Sequence, residues 1–193
     1  GSGFSNSATS RAKAVGMWQF MKATAKGYGL RVDSWVDDRR DPEKATRAAA
    51  AYLRDLYSMF RSWDLALASY NAGEGKIDRG VRRFSQDFWH MRKTGYLARE
   101  TSNYVPQYLA ALMIARNPSR YGFNGIAYQE PLRYETLLVR GSYSLASLSE
   151  LAGTSPETLR ELNPALLRSV TPPGSSYELR VPPGSAPRVA QGL

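Results

Sequence analysis

The stretch from Gly1 to Met21, GSGFSNSATSRAKAVGMWQFM, begins small and polar and turns abruptly apolar and aromatic around one amide, Gln19. Trp18, Phe20 and Met21 favour burial. Gln19 carries donors and acceptors that must be satisfied if it is drawn in with them. Two readings follow from the residues alone. The segment is one wall of a cleft, or it is the start of a core helix with Gln19 pointing outward.

Composition narrows the classes. The chain has 193 residues, enough for one well-cored domain or one domain with a small appendage. It has no apolar run of about eighteen residues, the length a membrane-spanning helix needs. Cysteine is absent, which excludes disulfides, thiolate metal sites and a cysteine nucleophile. The lone histidine, His90, sits beside Trp89 and offers neither a histidine zinc site nor a Ser-His pair. The net charge of +9 is uneven: residues 1–130 hold 20 Lys+Arg against 12 Asp+Glu, and residues 131–193 hold 6 against 5. A basic surface suits polyanions, but these cations are scattered along helical faces and are not massed with aromatics as in a nucleic-acid module.

Along the chain, Met21 to Gly27 reads as a short helix stopped by glycine, and residues 31–40 as a charged loop around Trp35. Asp41-Pro42-Glu43 is a helix start, with Asp as cap, Pro in the first turn and an acid beside it. Ala45, Ala49, Tyr52, Leu53, Leu56 and Phe60 follow at helical spacing. Trp63 to Ala72 predicts a second helix ending at Gly73, residues 76–99 short turns and loop, and residues 100–116 a third major helix. Beyond Gly122 the character changes. Strands are predicted at 134–139 and 177–181, flanking helices capped by Ser144 and by Ser155-Pro156, and the tail is expected to be poorly ordered.

Four segments together are more specific than any one of them. They are Ser2-Gly3-Phe4, Ser10-Arg11-Ala12-Lys13-Ala14-Val15-Gly16-Met17-Trp18-Gln19, Ser69-Tyr70-Asn71-Ala72-Gly73-Glu74-Gly75 and Glu100-Thr101-Ser102-Asn103-Tyr104-Val105-Pro106. In this order and at these separations they resemble the soluble-lytic-transglycosylase-like domain, most nearly of the membrane-bound lytic transglycosylase D type. The resemblance implies a mostly α protein: a lysozyme-like helical domain over 1–121, a linker over 122–133, a small α+β (βααβ) LysM-like module over 134–184, and a tail over 185–193. The module is degenerate, because Gly141-Ser142-Tyr143-Ser144 replaces the usual Gly-Asp-Thr-Leu start.

The chemistry implied by the resemblance uses one carboxylic acid where ordinary glycosidases use two. A protonated Glu gives its proton to the oxygen bridging MurNAc and GlcNAc, and the N-acetyl group of MurNAc stabilises the cationic centre. The same Glu, now a base, takes the C6 hydroxyl proton as the ring closes to 1,6-anhydroMurNAc. An apolar wall must raise that acid's pKa, and Trp18, Phe20 and the third major helix are expected to build it. By the same resemblance Gly16, Met17, Trp18, Gln19, Tyr70, Asn71 and Glu100 line the sugar cleft. Tyr104 would hydrogen-bond near the acid and the acetamido group, with Ser2 in support. No metal or organic cofactor is implied. The implied partner is the glycan strand of peptidoglycan and not nucleic acid, for a monomer in the periplasm or cell envelope, with any membrane anchor outside this chain.

One position departs from the pattern. The family's Glu directly precedes Ser-x-Phe, which is position 1, and position 1 is Gly. Glycine cannot transfer a proton, so the polypeptide as written is expected to be inactive. Three explanations stand: a piece of a longer protein whose upstream helix lies outside this sequence, a deliberate inactivating change, or a natural non-catalytic peptidoglycan binder. Glu74 and Glu100 are the other carboxylates within the motifs, and capping or orienting roles are expected of both. A muramidase-type hydrolase is the alternative chemistry.

Overall fold

Asp41 starts the longest helix as its sequence context dictates. Its Oδ1 accepts from the backbone N–H groups of Glu43 at 3.0 Å and Lys44 at 2.9 Å, so two otherwise orphaned donors are satisfied. The computed structural model describes residues 2–193. The elements run α1 (Lys22–Gly27), α2 (Pro42–Phe60), α3 (Trp63–Ala72), α4 (Glu74–Arg83), α5 (Phe88–Lys93), α6 (Arg99–Arg116), β1 (Glu135–Arg140), α7 (Leu145–Ala152), α8 (Pro156–Leu162), β2 (Ser176–Val181) and α9 (Ala186–Gly192). The mostly helical class with a small two-stranded sheet is the class expected.

Packing forms two compact units, residues 50–129 and residues 1–49 with 130–193. Composition divides the chain at 121 and 134, whereas packing groups the first 49 residues with the C-terminal module.

In the helical unit, Leu56 and Phe60 of α2 share a core with Leu65, Ile77, Phe88, Met91 and Val105. Ser62 caps α3 by accepting from Leu65 N–H. The region 76–99, expected as turns and loop, holds two helices, α4 and α5. The reason is packing. Ile77 and Gly80 lie three apart on the buried face of α4, and a Cβ at Gly80 would lie 2.7 Å from Met91 Sδ, so glycine permits the close approach. The third major helix, α6, buries Thr101 and Val105, and its Leu112 and Met113 are exposed.

In the other unit, β1 and β2 pair antiparallel with Leu137 opposite Leu179. Both predicted caps form: Ser144 accepts from Ser147 N–H at 3.0 Å and Ser155 from Thr158 N–H at 3.1 Å. Leu145, Leu148, Leu159, Leu162, Leu179 and Val181 make the core. The expected loose tail is instead helix α9, lying against β1 and α7. Val189 is fully buried, Ala186 N–H donates to Glu135 Oε2 at 3.2 Å, and Arg188 donates to the Ala152 carbonyl at 3.0 Å. So short a helix owes its stability to tertiary contacts and not to its own propensity, and those contacts leave little local signal in the sequence. Val189→Ala is expected to lower unfolding stability by about 1–3 kcal/mol in urea titrations; a change within about 0.3 kcal/mol would show that the tail is not docked.

Candidate functional site

The Gly16-Met17-Trp18-Gln19 loop is a tight reversal. Val15 and Phe20 exchange backbone hydrogen bonds, each at 3.1 Å, and Gly16 N–H donates to the Ala8 carbonyl at 2.9 Å. Gly16 has φ +83, and a Cβ there would overlap the carbonyl oxygen of Arg39, so both conformation and space require glycine. Gln19 adopts φ 52, in the left-handed region that non-glycine residues rarely occupy. Its own side chain stabilises that geometry: Nε2 donates to the carbonyls of Gly16 at 2.8 Å and Ala8 at 3.2 Å. Gln19 is thus partly a clamp of its own loop, neither a free cleft amide nor the start of a helix. Trp18 Nε1 donates to Thr46 Oγ1 of α2 at 2.8 Å, and Ser2 Oγ to the Met17 carbonyl at 2.7 Å. Phe20 is buried as expected, whereas Met21 is 47% exposed because α1 starts just after it and turns its side chain outward.

Beneath this loop lies Arg39, a residue the sequence does not single out. Its guanidinium faces the Asp37 carboxylate across two contacts of 2.8 Å, and Nη1 donates to the Phe20 carbonyl at 3.0 Å and the Lys13 carbonyl at 3.3 Å. The two side chains are 8% and 6% exposed.

In the helical unit, α3 ends where its motif predicts, with Gly73 at φ 88. Asn71 Nδ2 donates to Glu100 Oε1 at 3.2 Å, and Thr101 Oγ1 donates to Asn71 Oδ1 at 2.8 Å. The third and fourth sequence motifs are therefore joined through one amide. Glu100 lies in the first turn of α6, where a carboxylate also complements the helix dipole. The Tyr70 and Tyr52 rings lie 5.3 Å apart, Tyr104 and Tyr108 lie 6.5 Å apart, and Tyr52 donates to Glu74 Oε2 at 3.0 Å. Burial, followed by the neighbouring Tyr104 and Tyr52, holds the Tyr70 hydroxyl above its ordinary range. Burial and then Tyr108 do the same for Tyr104. Both phenols stay neutral donors at physiological pH.

The structure therefore brings Tyr70, Asn71, Glu100 and Tyr104 into one cluster, and Ser2, Gly16, Met17, Trp18 and Gln19 into one loop. The position assigned to the acid, Gly1, lies outside the described residues. Thr101 and Tyr52 belong to the cluster but carry no sequence signal beyond, for Thr101, its place inside a motif. Among the described residues no group of His, Asp and Glu could hold a metal ion, and no helix is long and apolar enough to cross a membrane.

Two outcomes follow. Arg39→Met leaves Asp37 buried without its partner and is expected to cost about 3–5 kcal/mol in urea unfolding; a loss under about 1 kcal/mol would show that the pair does not hold the loop. The folded state keeps the Tyr70 proton above the pH near 10.0 at which an unfolded tyrosine releases it. The sign is that this stability is complete below about pH 10 and is lost as pH rises beyond it. Stability measured from about pH 8 to 11 should therefore fall at the alkaline end, less steeply in Tyr70→Phe; an equally steep fall in that variant would remove Tyr70 from the account.

The sequence is similar to several known proteins. Over 198 aligned residues the chain is 31% identical to the membrane-bound lytic murein transglycosylase D of Escherichia coli (strain K12), covering 100% of this chain and 43% of that protein. It thus spans less than half the length of that relative. A peptidoglycan transglycosylase, gp16, of Escherichia phage T7 is 47% identical over 76 residues, 38% of this chain and 6% of that protein. A putative tributyltin chloride resistance protein of Alteromonas sp. (strain M-1) is 37% identical over 81 residues, 42% of this chain and 39% of that protein. Residues 133–193 match the LysM-like domain of lytic transglycosylase MltD, and residues 1–89, which include the loop at Gly16–Gln19 and the Tyr70-Asn71 turn, match the transglycosylase SLT domain. The chain thus joins a region that matches the transglycosylase SLT domain to one that matches the MltD-type LysM-like domain, and over its whole length it is similar to a lytic murein transglycosylase.

Proposed function

We propose that the protein carries the glycan site of a peptidoglycan lytic transglycosylase, the class that cleaves the MurNAc–GlcNAc β-1,4 bond with formation of 1,6-anhydroMurNAc, and that the polypeptide as written, with Gly at position 1, is an inactive form of it. The observation that supports this most is the hydrogen-bonded set of Asn71, Glu100 and Thr101, with Tyr70 and Tyr104 on the same two helices. Neutral phenols and a fixed amide suit a sugar, whose hydroxyl and acetamido groups both donate and accept. In this reading Tyr70 and Asn71 contact the sugar, Tyr104 hydrogen-bonds the reacting acetamido group, Glu100 orients Asn71, and the Gly16–Gln19 loop supplies further sugar contacts. Ser2, through its bond to the Met17 carbonyl, ties the residue after the acid to that loop.

The acid belongs at position 1. The glycine there has no proton to give, so a polypeptide of this sequence binds glycan without cutting it. Glu74 does not replace the acid, because it is exposed and already accepts from Tyr52. The site of action in this reading is the cell envelope, and the substrate is the glycan strand.

The test is digestion of purified sacculi by the chain and by a version with Glu at position 1, preceded by the helical segment of a relative. Anhydro-muropeptides, identified by mass, are expected from the second alone. Reducing MurNAc ends would assign a hydrolase. Products from the unaltered chain would refute the role given to position 1.

A further inference from the structure

We propose that the C-terminal βααβ module is a buttress for the Gly16–Gln19 loop, and that Arg180 on β2 is its positioning residue. The inference rests on the reading of that loop as a sugar-contacting element.

The contacts form one continuous chain through residues 31–43. Arg180 Nη1 lies 2.8 Å from Asp41 Oδ2, Nη2 lies 3.3 Å from Asp41 Oδ1 and 3.5 Å from Glu43 Oε2, and the guanidinium stacks over the Tyr134 ring at 4.7 Å. Tyr134 in turn donates to Glu43 Oε2 at 2.6 Å. The backbone of Arg180 is itself held, donating to Asn163 Oδ1 at 2.9 Å and accepting from Asn163 Nδ2 at 2.8 Å. Along residues 31–43, a strap between α1 and the start of α2, Asp37 N–H donates to the Ala165 carbonyl at 2.8 Å, and the Trp35 carbonyl accepts from Leu167 N–H at 2.9 Å. Arg168 stacks over Trp35 at 4.3 Å, and Arg31 donates to Ser175 Oγ at 3.1 Å.

Between Asp37 and Asp41, both held by the module, sits Arg39. Its side chain grips the Phe20 and Lys13 carbonyls, and its own carbonyl fills the space that Gly16 leaves open. A displacement of the strap must therefore move the loop. The same contacts cover the α8–β2 connection with the chain's own residues 35–37, which suits a support better than a free glycan-binding surface. Asp41 and Arg180 are 5% and 8% exposed, so their pairing is shielded from solvent and its geometry is demanding.

The test uses the full chain with Arg180→Met, Arg180→Lys and, as a control on the same module, Arg160→Met. Amide hydrogen exchange is read at Val15, Gly16 and Phe20 and across both strands, together with the Trp18 indole N–H resonance and the affinity for chitohexaose. Arg180→Met is expected to speed exchange at the three loop amides about tenfold and to shift the Trp18 resonance, with the strands unchanged within about twofold. Chitohexaose binding should weaken about tenfold. Arg180→Lys should recover part of each effect, and Arg160→Met should change none. If Arg180→Met does not fold, Tyr134→Phe, which removes only the hydroxyl on Glu43, makes the same comparison with an effect of about threefold. Loop amides as protected as in the parent, or loop and strands losing protection together, would overturn the proposal. A parent chain that ignores chitohexaose would instead refute the sugar reading, while the exchange experiment still decides the buttress.

Discussion

Arg39 and Asp37 stand two residues apart, almost out of solvent, and face each other across a paired contact. Such a pair contributes little net stability, because desolvating both charges offsets most of their attraction. Its effect is geometric. A planar guanidinium held by a carboxylate has its remaining N–H groups aimed in fixed directions, and here they meet the Phe20 and Lys13 carbonyls. The loop between those carbonyls contains a left-handed Gln19 and a Gly16 that admits no Cβ. That loop is a strained structure held in place by charge, and it carries part of one of the four motifs on which the family resemblance rests.

The helical unit meets a different need with different chemistry. Asn71 stands in the last turn of α3, before the Gly73 stop, and presents its amide to α6. Thr101 and Glu100 occupy both ends of that amide, so its orientation is settled without a buried charge. Tyr70 and Tyr104 bring apolar area and a neutral hydroxyl together. Burial that would penalise a phenolate leaves the phenol intact, so both hydroxyls keep their protons and remain donors.

The C-terminal module shows how a small unit gains a core it could not fill alone. Its βααβ segment adds α9 through Val189 and the strap through Val36 and Trp35. The buried Arg180 is compensated by Asp41 and Glu43 from far away in sequence. Breaking either side would leave a buried charge without its partner, which ties the strap and the module into one cooperative piece.

Much was legible in the sequence. Caps at Asp41, Ser144 and Ser155 are local interactions between a side chain and a backbone N–H a few residues on, so those helix starts could be read directly. The mostly α class and the membership of the four motifs followed from residue type and order. Other features were not legible. Helices α4, α5 and α9 depend on contacts with distant side chains, Met91 with Gly80 and Val189 with the sheet, and polar local sequence conceals them. Arg39 and Arg180 looked like two solvated cations among 26 basic residues. Burial and their distant partners make them structural, because a charge acquires a defined role only where the fold removes the water that would otherwise satisfy it. The sequence by itself determined where helices begin, which family the motifs belong to, and that position 1 holds no acid. Tertiary structure decided which of those motifs touch and what holds the loop, since both depend on desolvated contacts between residues far apart along the chain.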